Sequence, residues 1–117
     1  MAVKRIVVNI ATQDFDRARA FYGDILGLEM AMDLGWIQTY VGTGLAAPQV
    51  SFAREGGSGT DVPDLSIEVD NLDEVYQNAI AAKIPILYGP VEEPWGVRRF
   101  YLKDPFGRVV NILTHRE

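Results

Sequence analysis

Residues 14–27 read DFDRARAFYGDILG, and this stretch predicts the first helix of the chain. Asp14 is a good N-cap because its carboxylate can accept hydrogen bonds from the first free amides of a helix. Gly27 suits the left-handed position that ends a helix, so the helix is expected to stop there. Apolar residues at helical spacing predict a buried stripe consisting of Phe15, Ala18, Tyr22, Ile25 and Leu26.

The same pattern returns 57 residues later, where residues 71–85 read NLDEVYQNAIAAKIP. Asn71 takes the place of the cap, and Pro85 disfavours continuation of the helix. The corresponding apolar stripe consists of Leu72, Val75, Tyr76, Ala79 and Ile80. Because this offset is close to half of the 117 residues, the chain is predicted to contain a repeated module.

Segments of alternating or continuous apolar residues flank both helices and indicate strands. They are Ile6–Thr12, Trp36–Val41 and Gln49–Ala53 in the first half, and Leu65–Val69, Arg98–Lys103 and Val109–Thr114 in the second.

Side chains alternate along a strand, so one face of each strand is expected to meet the helices and the other face to line the opposite side. We assign to the helix-facing set Ile6, Val8, Ile10, Val110 and Ile112.

These elements predict an α+β fold of two repeated βαβββ modules. Their mixed sheet would form a concave surface around a cavity, with the helices outside. Module 1 is expected at about residues 1–53 and module 2 at about 63–117, within one domain of residues 1–117. Residues 54–62 are glycine-rich and lack periodicity, which predicts a flexible linker.

Composition narrows the class of protein. The 48% hydrophobic and 23% charged content is typical of a globular domain. A net charge of −5 argues against a nucleic-acid partner, since phosphate binding needs a basic face. The absence of cysteine excludes disulfides and thiolate catalysis. The apolar run at the N-terminus is too short for a signal peptide or a membrane span, so we expect a soluble, cytoplasmic protein with no membrane partner.

Two motifs carry a resemblance to a known family. One is DFDRARAFY at residues 14–22 followed by Ile25-Leu-Gly, and the other is YLKDPFGRVVNI at residues 101–112. Together they resemble the vicinal oxygen chelate superfamily, which includes glyoxalases, bleomycin-resistance proteins and extradiol dioxygenases. The resemblance covers essentially the whole chain and implies a fold, not one particular activity.

The resemblance also implies four metal-ligand positions on the concave side. In this chain they hold Val7, Ser51, Asp64 and Asn111. Only Asp64 offers a charged oxygen, whereas a catalytic divalent ion normally needs about three strong protein ligands. We therefore expect no bound metal and no cofactor.

Alternation places polar and aromatic residues on the concave side, which is the usual composition of a small-molecule site. The predicted ligand-binding residues are Asn9, Trp36, Gln38, Tyr40, Ser51, Asp64, Ser66, Glu68, Arg99, Tyr101 and Asn111. The alternative is that these polar groups pair with one another in a closed interior, because buried polar groups need partners.

Two functions remain open. The first is a metal-free binding protein that sequesters an aromatic or cationic small molecule, with Asp64 and Glu68 favouring positive charge. The second is a lyase, isomerase or dioxygenase resembling lactoylglutathione lyase, which would use a metal or a metal-free acid–base pair such as Glu68 with Tyr101. The only histidine, His115, is expected to be partly exposed, and could act alone as an acid or base if it folds over the cavity.

Partner proteins are a separate question. The resemblance implies a homodimer. An interaction module would display an exposed apolar patch, and the sequence does not indicate one.

Overall fold

The computed structural model describes residues 3–43 and 48–116. The described residues form eight strands and two α-helices: β1 Val3–Ala11, α1 Phe15–Ala18, β2 Glu29–Asp33, β3 Ile37–Val41, β4 Gln49–Ala53, β5 Leu65–Val69, α2 Leu72–Ala81, β6 Ile86–Glu93, β7 Val97–Lys103 and β8 Val109–His115. A π-helical segment, Arg19–Ile25, continues α1. The predicted α+β class is confirmed.

The chain divides into two compact units, and the boundary lies inside β1. The first-half unit is Val7–Val62, and the second-half unit is Met1–Ile6 together with Pro63–Glu117. In the first-half unit, β1 is parallel to β4, which is antiparallel to β3, which is antiparallel to β2. In the second-half unit, β5 is parallel to β8, which is antiparallel to β7, which is antiparallel to β6. The pairing pattern is the same in both units, whereas their origin by duplication stays a prediction.

Two strands, β2 and β6, are absent from the strand segments read off the sequence. All five residues of β2 are exposed, so the strand has no buried apolar alternation to reveal it. Strand β6 contains Gly89 and Pro90, which normally mark a turn. The sheet tolerates them because the pairing of β6 with β7 is irregular between Tyr88 and Val91.

The first helix differs from the regular α-helix that was predicted. Phe15 and Ala18 are buried, but the following π-helical turns hold more residues than α-helical turns, as in the bond from the Leu26 amide to the Phe21 carbonyl. This shift rotates Ile25 and Leu26 into solvent, where they are 71% and 55% exposed. Their predicted burial is therefore wrong. Gly27 has a φ of 76°, as expected for a left-handed helix end.

The second helix, α2, is regular. Leu72 and Ala79 are buried as predicted, whereas Ile80 is exposed and its predicted burial is wrong. Within the described residues, no helix is both long enough and apolar enough to span a bilayer.

Each unit has its own apolar core between its sheet and its helix. In the first-half unit the core is Phe15, Ala18, Tyr40 and Phe52. In the second-half unit it is Val69, Leu72, Phe100, Val110 and Ile112. The predicted orientation of Val110 and Ile112 towards α2 is therefore confirmed.

Strand β1 agrees with the predicted orientation but not with the expected burial. Val8 and Ile10 lie opposite Val50 and Phe52 of β4, on the face where Phe52 packs beside Phe15. They are nevertheless 48% and 37% exposed. Ile6, which belongs to the second-half unit, is also exposed. The first-half unit thus exposes the apolar side chains of Val8 and Ile10, contrary to the expectation of no such patch.

Residues 54–62 form hydrogen-bonded turns between β4 and β5. The Gly56 amide donates to the Thr60 carbonyl at 2.7 Å, and the Thr60 amide donates to the Gly57 carbonyl at 3.0 Å. The Glu55 carboxylate accepts from the Gly59 amide. Ordered backbone contacts therefore run through the stretch that was predicted as a linker.

Candidate functional site

The richest collection of functional groups lies on one sheet face of the second-half unit, opposite α2. Leu65, Ile67, Val110 and Ile112 belong to the apolar core with α2, so the residues between them point the other way. Cross-strand pairing aligns these into a row of Ser66, Asn111 and Tyr101, and a second row of Glu68, Leu113 and Arg99. Five predicted site residues therefore share this surface, which we call the second-half face.

Asn111 has an unsatisfied polar atom. The residue is only 7% exposed, and its Nδ2 donates to Ser66 Oγ at 3.2 Å. Within the described residues its buried Oδ1 has no hydrogen-bond partner. A buried acceptor without a donor costs about 1–3 kcal/mol. This atom would therefore gain from a donor supplied by a bound molecule.

Arg99 and Glu93 form a buried ion pair, each with a side chain 3% exposed. Arg99 donates through Nε and Nη2 to Glu93 Oε2 at 2.7 and 2.6 Å, and through Nη1 to the Tyr101 hydroxyl at 2.9 Å. Tyr88 donates to the same Glu93 oxygen. These contacts satisfy charges that would be costly to bury alone.

Aromatic rings surround the guanidinium of this pair. It lies 5.0 Å from the ring centres of Trp95 and Tyr101 and 5.4 Å from that of Tyr88, within cation–π range. We call Arg99, Glu93, Tyr88, Trp95 and Tyr101 the arginine cluster. Its members therefore contact one another through hydrogen bonds, an ion pair and cation–π interactions.

Glu68 binds two basic side chains from neighbouring strands. Its Oε1 lies 2.7 Å from Arg5 Nε, and its Oε2 lies 2.7 Å from His115 Nδ1. Burial raises the pKa of Glu68, but the hydrogen bond from His115 and the charge of Arg5 outweigh it, so the pKa is below the usual glutamate value. The structure thus joins Glu68 to His115, whereas the hydroxyl of its suggested partner Tyr101 binds Arg99.

On the corresponding face of the first-half unit, the two rows formed by β1, β4 and β3 carry no charged side chain. Asn9, Ser51 and Thr39 form one row, and Ala11, Ala53 and Ile37 form the next. The hydroxyls of Thr39 and Ser51 are 2.7 Å apart and hydrogen-bond to each other. Of the predicted site residues, Asn9 and Ser51 lie here, and Thr39 is one that sequence reasoning missed.

Gln38 and Tyr40 lie on the opposite face of the first-half sheet. Their partners are Phe52 and Val50, and Tyr40 packs beside Phe15 and Phe52 in the core. The expectation that they share a surface with Asn9 is therefore wrong. Trp36 precedes β3, and its carbonyl accepts from the Arg54 amide.

The residues at the four family metal positions do not fit a divalent metal. Val7 has no donor atom, and the Ser51 hydroxyl is hydrogen-bonded to Thr39. One oxygen of Asp64 accepts from the Val109 amide at 2.9 Å, and Asn111 offers only an amide. Among residues 3–43 and 48–116, no three His, Asp or Glu side chains are grouped so that they could hold a metal ion.

Four side chains that shape the second-half face had no sequence signal of their own: Arg5, Tyr88, Glu93 and Trp95. Arg5 resembles any basic residue near a terminus, and the other three lie in or after the irregular strand β6. Knowing that β6 is a strand paired with β7 would have placed Glu93 opposite Val97 and near Arg99.

The sequence matches the model of a known protein family. The family model of the Glyoxalase/Bleomycin resistance protein/Dioxygenase superfamily matches residues 4–112. No curated protein gives a significant match.

Several solved structures share the fold. A structure described as NAD-dependent benzaldehyde dehydrogenase from Legionella pneumophila has a TM-score of 0.75 at 13% identity, covering 96% of this chain and 100% of that one. Methylmalonyl-CoA epimerase from Mycobacterium tuberculosis has a TM-score of 0.69 at 17% identity, covering 98% and 90%. A superfamily member from Vibrio splendidus 12B01 has a TM-score of 0.62 at 17% identity, covering 94% and 97%. At these identities the likeness concerns the fold alone.

Proposed function

Since this chain belongs to the Glyoxalase/Bleomycin resistance protein/Dioxygenase superfamily, we propose that it binds a small aromatic molecule on the second-half face without a metal ion. The observation that carries the proposal is the buried Oδ1 of Asn111, which has no donor within the described residues. A ligand N–H or O–H group at this atom would remove the cost of burying it.

The surroundings favour an aromatic ligand over a strongly cationic one. Tyr101 lies beside Asn111 in the same row, and its aromatic ring, although only 3% of the residue is exposed, is the nearest group of that row that could contact a ligand at Asn111. The charge of Glu68 is offset by Arg5, and Asp64 is hydrogen-bonded to a backbone amide. We therefore narrow the ligand class to a neutral aromatic compound with a hydrogen-bond donor, such as a phenol or an aromatic amide.

The test is a binding screen of phenols and aromatic amides, followed by tryptophan fluorescence. We expect Asn111→Ala to weaken binding of any hit by about ten- to a hundred-fold, which corresponds to a lost buried hydrogen bond of about 1–3 kcal/mol. Asn78→Ala, on the exposed side of α2, is the matched control and should leave binding unchanged.

Two outcomes would contradict the proposal. One is a sharp loss of stability in Asn111→Ala with binding intact, which would favour the closed, self-paired interior. The other is equal loss of binding in Asn111→Ala and Asn78→Ala. The change Asn9→Ala separately tests the polar row of the first-half unit, where Asn9 lies opposite Ser51.

The alternative remains an enzyme of the lyase, isomerase or dioxygenase class. The pairing of Glu68 with His115 favours it, because a carboxylate and an imidazole together can move a proton. The epimerase neighbours have the same fold at 17% identity, and this level of identity does not extend their substrate to this chain.

Homodimerisation and a cytoplasmic location stay predictions. The exposed pair Val8 and Ile10 of the first-half unit is the surface on which to test the first. If the chain dimerises through this pair, Val8→Glu should convert the dimer to a monomer in analytical ultracentrifugation.

A further inference from the structure

The contact between Glu68 and His115 also indicates which nitrogen of the imidazole carries the hydrogen. His115 uses Nδ1, at 2.7 Å from Glu68 Oε2. The pKa of Glu68 is lowered, so this carboxylate is ionised at neutral pH and can only accept. In the neutral imidazole, Nδ1 must then carry the hydrogen, and Nε2 carries the lone pair.

Arg5 fixes the orientation of this arrangement. It binds Oε1 of Glu68 while His115 binds Oε2, so both carboxylate oxygens are held and the imidazole has a defined direction. The Glu68 side chain is 13% exposed, whereas that of His115 is 50% exposed. A shielded carboxylate thus supports an accessible ring, which is the arrangement expected of a general base and its positioning group.

We propose that His115, positioned by Glu68 and Arg5, is a metal-free general base that removes a proton from a small carbon acid. His115 is the catalytic residue, and Glu68 and Arg5 are positioning residues. Leu113, two positions earlier on the same face of β8, offers an apolar surface next to the imidazole for a flat substrate. The choice of a flat aromatic substrate rests on the proposed binding function, whereas the choice of base does not.

The proton transfer is balanced without a further reactant. Nε2 takes the proton from the substrate carbon, and the C–H electron pair forms a new bond or a delocalised anion in the substrate. In an isomerisation the imidazolium returns the proton to another position. With the probe 5-nitrobenzisoxazole, the C–H electrons complete a nitrile while the N–O bond breaks, releasing a coloured phenolate.

The groups that face His115 define its electrostatic surroundings. Glu68 faces it from β5, with Arg5 of β1 on the other side of that carboxylate. The residue paired with His115 on β7 is Val97, which carries no charge.

The first test is ¹⁵N NMR of the single histidine at alkaline pH. We expect the neutral ring to carry its hydrogen on Nδ1, and Glu68→Ala to shift it towards Nε2. Glu92→Ala removes a neighbouring carboxylate that binds Arg116 and should leave the tautomer unchanged. A ring protonated mainly on Nε2 in the unaltered chain would overturn the proposed base.

The second test is turnover of 5-nitrobenzisoxazole by the unaltered chain and four variants. We expect His115→Gln to lower the rate by about ten-fold or more. Glu68→Gln should also lower the rate, Glu68→Asp should restore part of it, and Glu92→Ala should have no effect. Equal rates in the unaltered chain and His115→Gln would overturn the proposal.

The two proposals fail separately. In one outcome the ring carries its hydrogen on Nδ1 and the rate depends on His115, but Asn111→Ala leaves ligand binding unchanged. That result would support the general base and contradict the binding site. The reverse result would support the binding site and contradict the general base.

Discussion

The two units pair their strands in the same way but place different chemistry on corresponding sheet faces. The first-half unit has Asn9, Ser51 and Thr39, where the two hydroxyls bind each other. The second-half unit has Ser66, Asn111 and Tyr101, followed by a row that contains Glu68 and Arg99. A shared backbone pattern therefore fixes where side chains point, while residue identity alone decides whether the surface is neutral or charged.

The largest expected difference concerns the buried ion pair of the arginine cluster. Glu93→Ala should lower the free energy of unfolding by about 3–5 kcal/mol, because it leaves Arg99 buried without its counter-charge. Urea denaturation followed by circular dichroism measures it. Glu92→Ala is the control, since that residue makes an exposed pair with Arg116 of about 1 kcal/mol or less. Similar losses of unfolding free energy in both variants would show that the buried ion pair contributes no more to stability than the exposed one.

The neutral row of the first-half unit should respond more weakly. Ser51→Ala removes one partner of the Thr39 hydroxyl and should cost about 1–2 kcal/mol. Adding Thr39→Val removes the unpaired hydroxyl, so the double variant should lose less than the sum of the two single variants. Strict additivity in urea denaturation would contradict a hydrogen bond between these side chains.

A smaller difference in stability is expected between changes at the N-caps of the two helices. Asp14 accepts from the Arg17 amide at 3.1 Å, so Asp14→Ala should cost about 1 kcal/mol. Within the described chain Asn71 makes no such side-chain cap, and its buried Oδ1 has no partner. Asn71→Ala should therefore leave the midpoint of urea unfolding nearly unchanged. Equal losses would show that both residues cap their helices in solution.

The smallest effect is the pH dependence contributed by Glu68. Burial alone would raise its pKa, but His115 and Arg5 lower it below the unfolded value. The resulting stability is present above the ordinary glutamate range and is lost as the pH falls through the lower pKa of the folded state. The stability difference between the unaltered chain and Glu68→Gln should therefore shrink from pH 6 to pH 3. A difference that grows towards acid pH would contradict the lowered pKa.

Sequence patterns predicted the fold where apolar periodicity was strong. Val110 and Ile112 flank the polar Asn111, and this contrast gave the correct orientation of β8 and with it the placement of Asn111. Strand β3 reads IQTYV, without a similar contrast, so Gln38 and Tyr40 were assigned to the wrong face. Alternation shows that successive residues of a strand face opposite sides of the sheet. Only a contrast between apolar and polar residues shows which of them face the core.

The charged part of the candidate site could not be predicted in the same way. Glu93 is buried because Arg99, on the neighbouring strand, neutralises it, and the two meet only through an irregular strand containing Gly89 and Pro90. His115 was recognised as a candidate base, but its partner depended on the parallel pairing of β5 with β8. Such contacts arise from tertiary register, which local propensity does not contain.

The π-helical segment Arg19–Ile25 has a consequence for how this chain tolerates changes in length. A π-helical turn accommodates an extra residue relative to an α-helical turn, so it is equivalent to a one-residue insertion in an α-helix. With regular α-helical spacing over residues 14–27, Ile25 and Leu26 would lie on the side of Phe15 and Ala18, as the sequence alone predicted. The geometry of this one segment thus decides whether these two aliphatic side chains belong to the surface or to the interior.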